Sequence, residues 1–233
     1  MCTILVEDNV TGYNDHLHLN LTLQDNGEAK TARIARARNK VLEYSEQNFA
    51  HYDYMVMMDP DMICVANVES GKYDVDIFKY VFWELGDQWD VLTFRQTPYF
   101  DWWAFRHPVL LKHNFVNRYR KNPHSNNYRI YEQELADHLD NLTWPDGLME
   151  VESSFSVFAF YRMSLLTPGI ARYRGYEPDG TVDCEHTAFH FDLRLKMKAR
   201  HRMSGLTYCY GKDNNATYRP LPRNITDRWM AGR

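Results

Sequence analysis

Nine residues constrain this chain more than any others: Tyr54 to Met62, Tyr-Met-Val-Met-Met-Asp-Pro-Asp-Met. An apolar run of strand length stops at two carboxylates, Asp59 and Asp61. Aspartate suits a strand interior poorly, so the pair is expected where a buried strand breaks into a loop. Side chains at i and i+2 share a face while the chain stays extended. Both carboxylates can therefore address one point, and oxygen ligands at a strand end suit Mg²⁺ or Mn²⁺, which in turn suits a diphosphate. For an isolated match, a plain turn closed by Asp-Pro-Asp is the better explanation.

The remaining chain sets bounds on both readings. At 233 residues it can bury a full core as one large domain or two small ones. The 44% hydrophobic and 25% charged fractions are those of an ordinary globular protein. The 15% aromatic fraction is high, and such rings serve cores as well as sugar or base stacking. A net charge of −4 offers no basic excess for phosphate neutralisation, so no nucleic-acid partner is expected.

Cys2, Cys64, Cys184 and Cys209 lie far apart, without metal-finger spacing, and read as small core residues or one bridge. No apolar stretch reaches transmembrane length. No basic region followed by an apolar core opens the chain, which makes a cytoplasmic location the expectation. Sequons at Asn9, Asn20, Asn141, Asn215 and Asn224 matter only in a secretory lumen.

Thr3 to Val6 reads as a strand, and residues 14–27 as a polar loop ending at Asn26-Gly27. Ala32, Ile34, Ala35, Ala37, Val41 and Leu42 predict a helix from Glu28 to about Phe49. Its other positions carry Lys30, Arg33, Arg36, Arg38 and Lys40, a solvated basic face or a flank that meets a diphosphate. The order strand, loop, helix, strand is the rhythm of a mostly parallel α/β sheet flanked by helices. In such sheets ligands bind at the carboxyl ends of central strands, where Asp59 and Asp61 fall.

Val75 to Leu85 predicts a second helix, and Asp90 to Phe94 another buried strand. Tyr99 to Arg106 then packs five aromatics around Asp101 and Arg106. This is either a buried aromatic corner or a sugar-recognition segment, with rings for CH faces and charges for hydroxyls. Asn114 to Tyr128 reads as a surface loop, Glu132 to Leu142 as helical, and Val151 to Tyr161 as a strand containing Glu152. Cys184-Glu185-His186 opens a helix to about Arg200, with His186 and His190 at i and i+4. Such histidines are metal ligands or core residues in equal measure. Glu185 precedes the first histidine, so this is not the H-E-x-x-H signature. Residues 1–212 read as one domain and residues 213–233 as a loop-like tail. No P-loop, G-x-G-x-x-G or G-x-S-x-G occurs.

Together these segments resemble a GT-A-fold glycosyltransferase with a DxD motif. Leu5-Val6-Glu7-Asp8-Asn9-Val10-Thr11-Gly12 is similar to the second strand and turn of such enzymes. Ala32 to Asn39 resembles their R-x-A-x-A-R-N helix, and Asp59-Pro60-Asp61 stands where DxD belongs. Tyr99 to Arg106 is similar to the Y-Y-D-x-W-A-x-R segment of one subgroup. That subgroup is the chlorovirus glycosyltransferases and the fungal capsule-associated mannosyltransferase-like group. Cys184-Glu185-His186 with Phe189-His190 resembles their late C-E-H element. The likeness spans roughly residues 3–195.

Two departures stand out: the chain opens at what corresponds to the second strand, leaving the base without its usual strand. Phe155-Ser156-Val157 also stands where relatives often carry Phe-Gly-Gly.

The resemblance implies transfer of a sugar from a UDP- or GDP-sugar to a hydroxyl of a glycan or glycoconjugate acceptor, with Mn²⁺ or Mg²⁺. It implies Asp59, Asp61 and His186 on the metal, with His190 as substitute, and Asp59 on metal or ribose. Arg38 and Asn39 would meet the nucleotide or diphosphate, and Asp101 and Arg106 the donor-sugar hydroxyls. Glu185, or second Glu152, would be the base of an inverting reaction. A non-catalytic sugar-binding or scaffold domain and a metal-dependent phosphohydrolase are the rival readings.

Overall fold

A computed structural model describes residues 29–59, 72–73, 75–95, 99, 101–112, 137, 139, 147–206 and 209–210. Expectations for residues 3–28, for Asp61, for the loop at 114–128, for the five sequons and for the tail lie outside these residues. Of the helix expected over 132–142, Asp137 and Leu139 are helical.

Helix α1 runs Lys30–Asn48, close to its expected span. Its buried stripe is Thr31, Ala35, Arg38, Leu42, Ser45 and Glu46, a spacing that keeps one face inward. Val41 and Ala37, expected among the apolar positions, are exposed, whereas the cationic Arg38 is buried. The inward face is therefore partly polar: Ser45 Oγ donates back to the Val41 carbonyl of its own helix at 2.9 Å, and the other polar groups find partners across the contact. Thr31 Oγ1 donates to the Gly175 carbonyl at 3.0 Å, and Glu46 accepts two bonds from the Arg172 guanidinium at 2.9 and 3.0 Å. Asn39 clasps the Tyr173 backbone through both amide atoms, each at 2.9 Å.

Strand β1 is Tyr54–Met58 and β2 is Lys72–Tyr73. Helix α2 covers Val75–Lys79 and continues as a π-helical turn over Tyr80–Glu84. Strand β3 is Val91–Phe94, β4 is Leu148–Glu150 and β5 is Phe158–Arg162. Helix α3 is Glu185–Met197, followed by β6, His201–Ser204, and β7, Cys209–Tyr210. Two corrections concern strands. The run 151–157 is irregular backbone, so Glu152 is not in a strand. In β1, Met55 and Met57 are buried while Val56 and Met58 are exposed, so only one face of that strand is covered.

Five strands form one sheet in the order β1-β5-β3-β6-β4, and β2 pairs with β7. The expectation of a mostly parallel sheet is corrected for these strands. β5 runs antiparallel to both β1 and β3, β4 runs antiparallel to β6, and β3 with β6 is the one parallel pair. The chain is a mixed α/β fold. Repeated strand and helix signals set the elements, but strand direction follows from how each connection returns, which periodicity does not encode.

Period-2 alternation splits the core between the two sheet faces. Met55, Met57, Val91, Ala159 and Tyr161 pack against Ala35 and Leu42 of α1 and Phe189 and Leu193 of α3. Leu92, Phe94 and Phe158 turn the other way, onto Ile77, Tyr80, Val81 and Trp89. A third cluster gathers Tyr99, Trp102 and Phe105 with Val151 and Met203, so much of the aromatic segment is core. Among the described residues no helix is long and apolar enough to cross a membrane.

Candidate functional site

Arg38 organises the candidate site. Leu42, one turn on, anchors α1 in the core, and the same stripe carries Arg38 inward beneath the end of β1 and the start of α3. Its Nη2 donates to Asp59 Oδ1 at 2.6 Å and its Nε to Glu185 Oε1 at 3.0 Å. The side chains of Arg38 and Glu185 are 10% and 7% exposed, while Asp59 is 40% exposed at the open end of its strand. Burial disfavours the guanidinium charge, but Asp59 and Glu185 more than offset it and hold the group above the ordinary arginine range. Glu185 also occupies the first turn of α3.

Asp101 approaches the same place from the aromatic segment. Its Oδ2 accepts from the Ser156 amide at 2.9 Å and its Oδ1 from the Ala104 amide at 3.4 Å. Its carboxyl is nevertheless pushed up to about 7: burial is the first cause, and the nearby anions Glu185 and Asp59 add to it against the two backbone bonds. Ser156 and Val157 hold positive φ of 50° and 88°, and the Val157 carbonyl accepts from the Asp59 amide at 2.8 Å. This two-residue kink thus ties Asp101 on one side to Asp59 on the other. A β-branched residue at that φ is strained backbone.

The histidines separate into two roles. His190 is fully buried and bonded on both ring nitrogens, to Ser153 Oγ at 2.9 Å and Tyr161 Oη at 2.8 Å. Burial lowers its pKa to about 3, and with no free nitrogen it is a core residue and not a substitute ligand. His201, not singled out in the sequence, sits against His190 with ring centroids 4.4 Å apart and bonds Ser154 Oγ at 3.2 Å. His186 differs. It stacks on Phe155 at 3.6 Å, its Nε2 lies 3.5 Å from Glu185 Oε1, and among the described residues neither buried ring nitrogen has a hydrogen-bond partner. Burial and then Arg38 hold it well below the ordinary histidine range, so it stays neutral.

Other expected site residues stand elsewhere. Arg106 is 2% exposed and committed to Asp183 Oδ1 at 2.7 Å and to the Trp103 and Phe105 carbonyls. Asn39 spends its amide on the Tyr173 backbone. Glu152 faces Arg194 at 3.3 Å, apart from the groups bonded to Arg38. Asp183 was not foreseen, because nothing local distinguishes it; its role follows from a partner 77 residues away.

Two cavities flank the site. One of about 830 Å³ lies between α1 and the segment at 173–178, lined by Arg36, Asn39 and Lys40. The other, about 750 Å³, lies between that segment's hairpin and α3. Among the described residues no three potential metal ligands meet. Asp59 presents a part-exposed carboxylate and His186 an imidazole without a partner among the described residues, oxygen and nitrogen donors of the types that divalent ions take. Comparison with protein-family models and with curated proteins returns no match to this chain.

Proposed function

We propose that this chain is a metal-dependent glycosyltransferase of GT-A type, moving a sugar from a nucleotide-diphosphate sugar to an acceptor hydroxyl. One observation carries the reading. Four segments singled out in the sequence meet around one guanidinium: Arg38 from α1, Asp59 from the end of β1, Glu185 from the start of α3, and Asp101 beside them. Their separations of 21 and 147 residues make chance local pairing a poor explanation.

Asp59 and Asp61, with His186, would hold Mn²⁺ or Mg²⁺. When bound, such an ion supplies Lewis-acid neutralisation of charge on a departing diphosphate. Arg38 fixes the orientation of Asp59 and Glu185 in advance, so neither needs to reorganise during transfer. Asp101, whose carboxyl holds a proton near neutrality, can donate to or accept from a sugar hydroxyl. An inverting transfer assigns the acceptor proton to Glu185; a retaining one needs no base there.

Calorimetric titration with UDP, GDP and UDP-sugars tests this. The expected result is nucleotide binding that requires Mn²⁺, disappears in EDTA, and is lost in Asp61→Ala together with donor turnover. A folded protein that binds none of these nucleotides overturns the reading in favour of a non-catalytic domain.

A further inference from the structure

The first turn of α3 serves two places at once. Glu185 faces Arg38, while Asp183 and Thr187, two residues to either side, line the cavity of about 750 Å³. Its opposite wall is a hairpin in which Tyr176 bridges Val182, Glu177 donates its amide to the Thr181 carbonyl at 2.8 Å, and Gly180 takes a φ of 82° to close the turn.

The floor is rigid. Arg106 and Asp183 are paired at 2.7 Å with side chains 2% and 5% exposed, and two backbone carbonyls hold the guanidinium in place. Thr187 lines the cavity, with its Oγ1 sealed from it and without a hydrogen-bond partner among the described residues. Thr187, Phe191 and Leu195 recur every four residues and give α3 an apolar stripe along the cavity. Leu195 is 73% exposed there. Burial, and Asp183 beside it, hold the Glu177 carboxyl above its ordinary range.

These features select the ligand's chemistry. The described lining carries four carboxylates and three cationic groups, and the pairs Arg106–Asp183 and Arg174–Asp192 cancel most of that charge. A diphosphate would find no cationic excess. A neutral polyhydroxyl ring finds donors and acceptors on one side and an apolar stripe for its CH face on the other. We infer that the cavity between the hairpin at 175–183 and α3 binds a neutral sugar unit, the acceptor end of the transfer proposed above. This inference rests on that proposal for the word acceptor, but not for the binding.

Saturation-transfer NMR on the purified chain in EDTA tests it, using glucose, galactose, mannose, xylose, lactose and maltose as probes. At least one saccharide should give signal. Leu195→Arg, at an exposed position, should abolish it without shifting Tm. Asp59→Asn should leave it unchanged. No signal from the folded chain with any of these sugars, or signal persisting in Leu195→Arg, overturns the inference. Sugar binding sensitive to Leu195 in a chain that binds no nucleotide supports the cavity and overturns the transferase. Nucleotide binding without sugar binding does the reverse.

Discussion

At the scale of the residue, the same chemical type does opposite work within a few positions. Lys30, Arg36 and Lys40 of α1 are exposed, whereas Arg38 falls on the inward stripe and becomes the cation that two carboxylates share. Asp101 is the residue whose protonation follows most directly from its place. Its ordinary value of 3.8 is raised to about 7, so between those values the folded chain binds a proton that the unfolded chain does not. The stability this adds is fully present below about pH 4 and is lost as pH rises through about 7. Asp101→Asn removes that dependence. Its urea midpoint, compared with the wild type across this range, should fall less as pH rises; parallel profiles would show that Asp101 ionises normally.

At the scale of the element, the irregular run before β5 is where local preference and tertiary demand conflict. Ser156 and Val157 occupy backbone that favours glycine, because the amide of one and the carbonyl of the other must reach Asp101 and Asp59. The two residues should respond with opposite signs. Ser156→Gly relieves a left-handed backbone at the cost of chain entropy and should stabilise by roughly 0.5–1 kcal/mol. Val157→Gly relieves a similar strain but also removes a side chain only 3% exposed in the core. That burial is worth about 1.5–3 kcal/mol, so the net change should be destabilising. Thermal unfolding of the two variants reads both signs. A strand expected over 151–161 shrinks to Phe158–Arg162 for the same reason: the apolar pattern continues upstream, but the backbone there bends to serve the site.

At the scale of the whole molecule, Arg38 is a joint between α1, the end of β1 and the start of α3. Arg38→Ala leaves Glu185, 7% exposed, without its cation, and breaking a buried pair of this kind costs about 3–5 kcal/mol. Urea denaturation should show a lower midpoint with an unchanged slope. Arg38→Lys should recover part of the loss, since it keeps the charge but not the fork that bonds two carboxylates at once. An Arg38→Ala midpoint equal to the wild type would mean the three elements are held by apolar packing alone.

Sequence by itself determined the pieces: α1, β1, β3 and α3 lie close to where hydrophobic period and strand-length runs put them. Asp59 and Asp101 stood out locally as carboxylates set against apolar and aromatic runs, whereas the site roles of Arg38 and Glu185 came only from the resemblance to GT-A enzymes. Tertiary structure decided the rest. Antiparallel pairing of β5 with two neighbours, the sealing of His190 by Ser153 and Tyr161, and the diversion of Arg106 to Asp183 all depend on partners between 29 and 108 residues apart. Periodicity reports which face of an element is apolar. Only packing decides which distant group that face meets, and so which charge is paired, which imidazole is left open, and where a cavity remains.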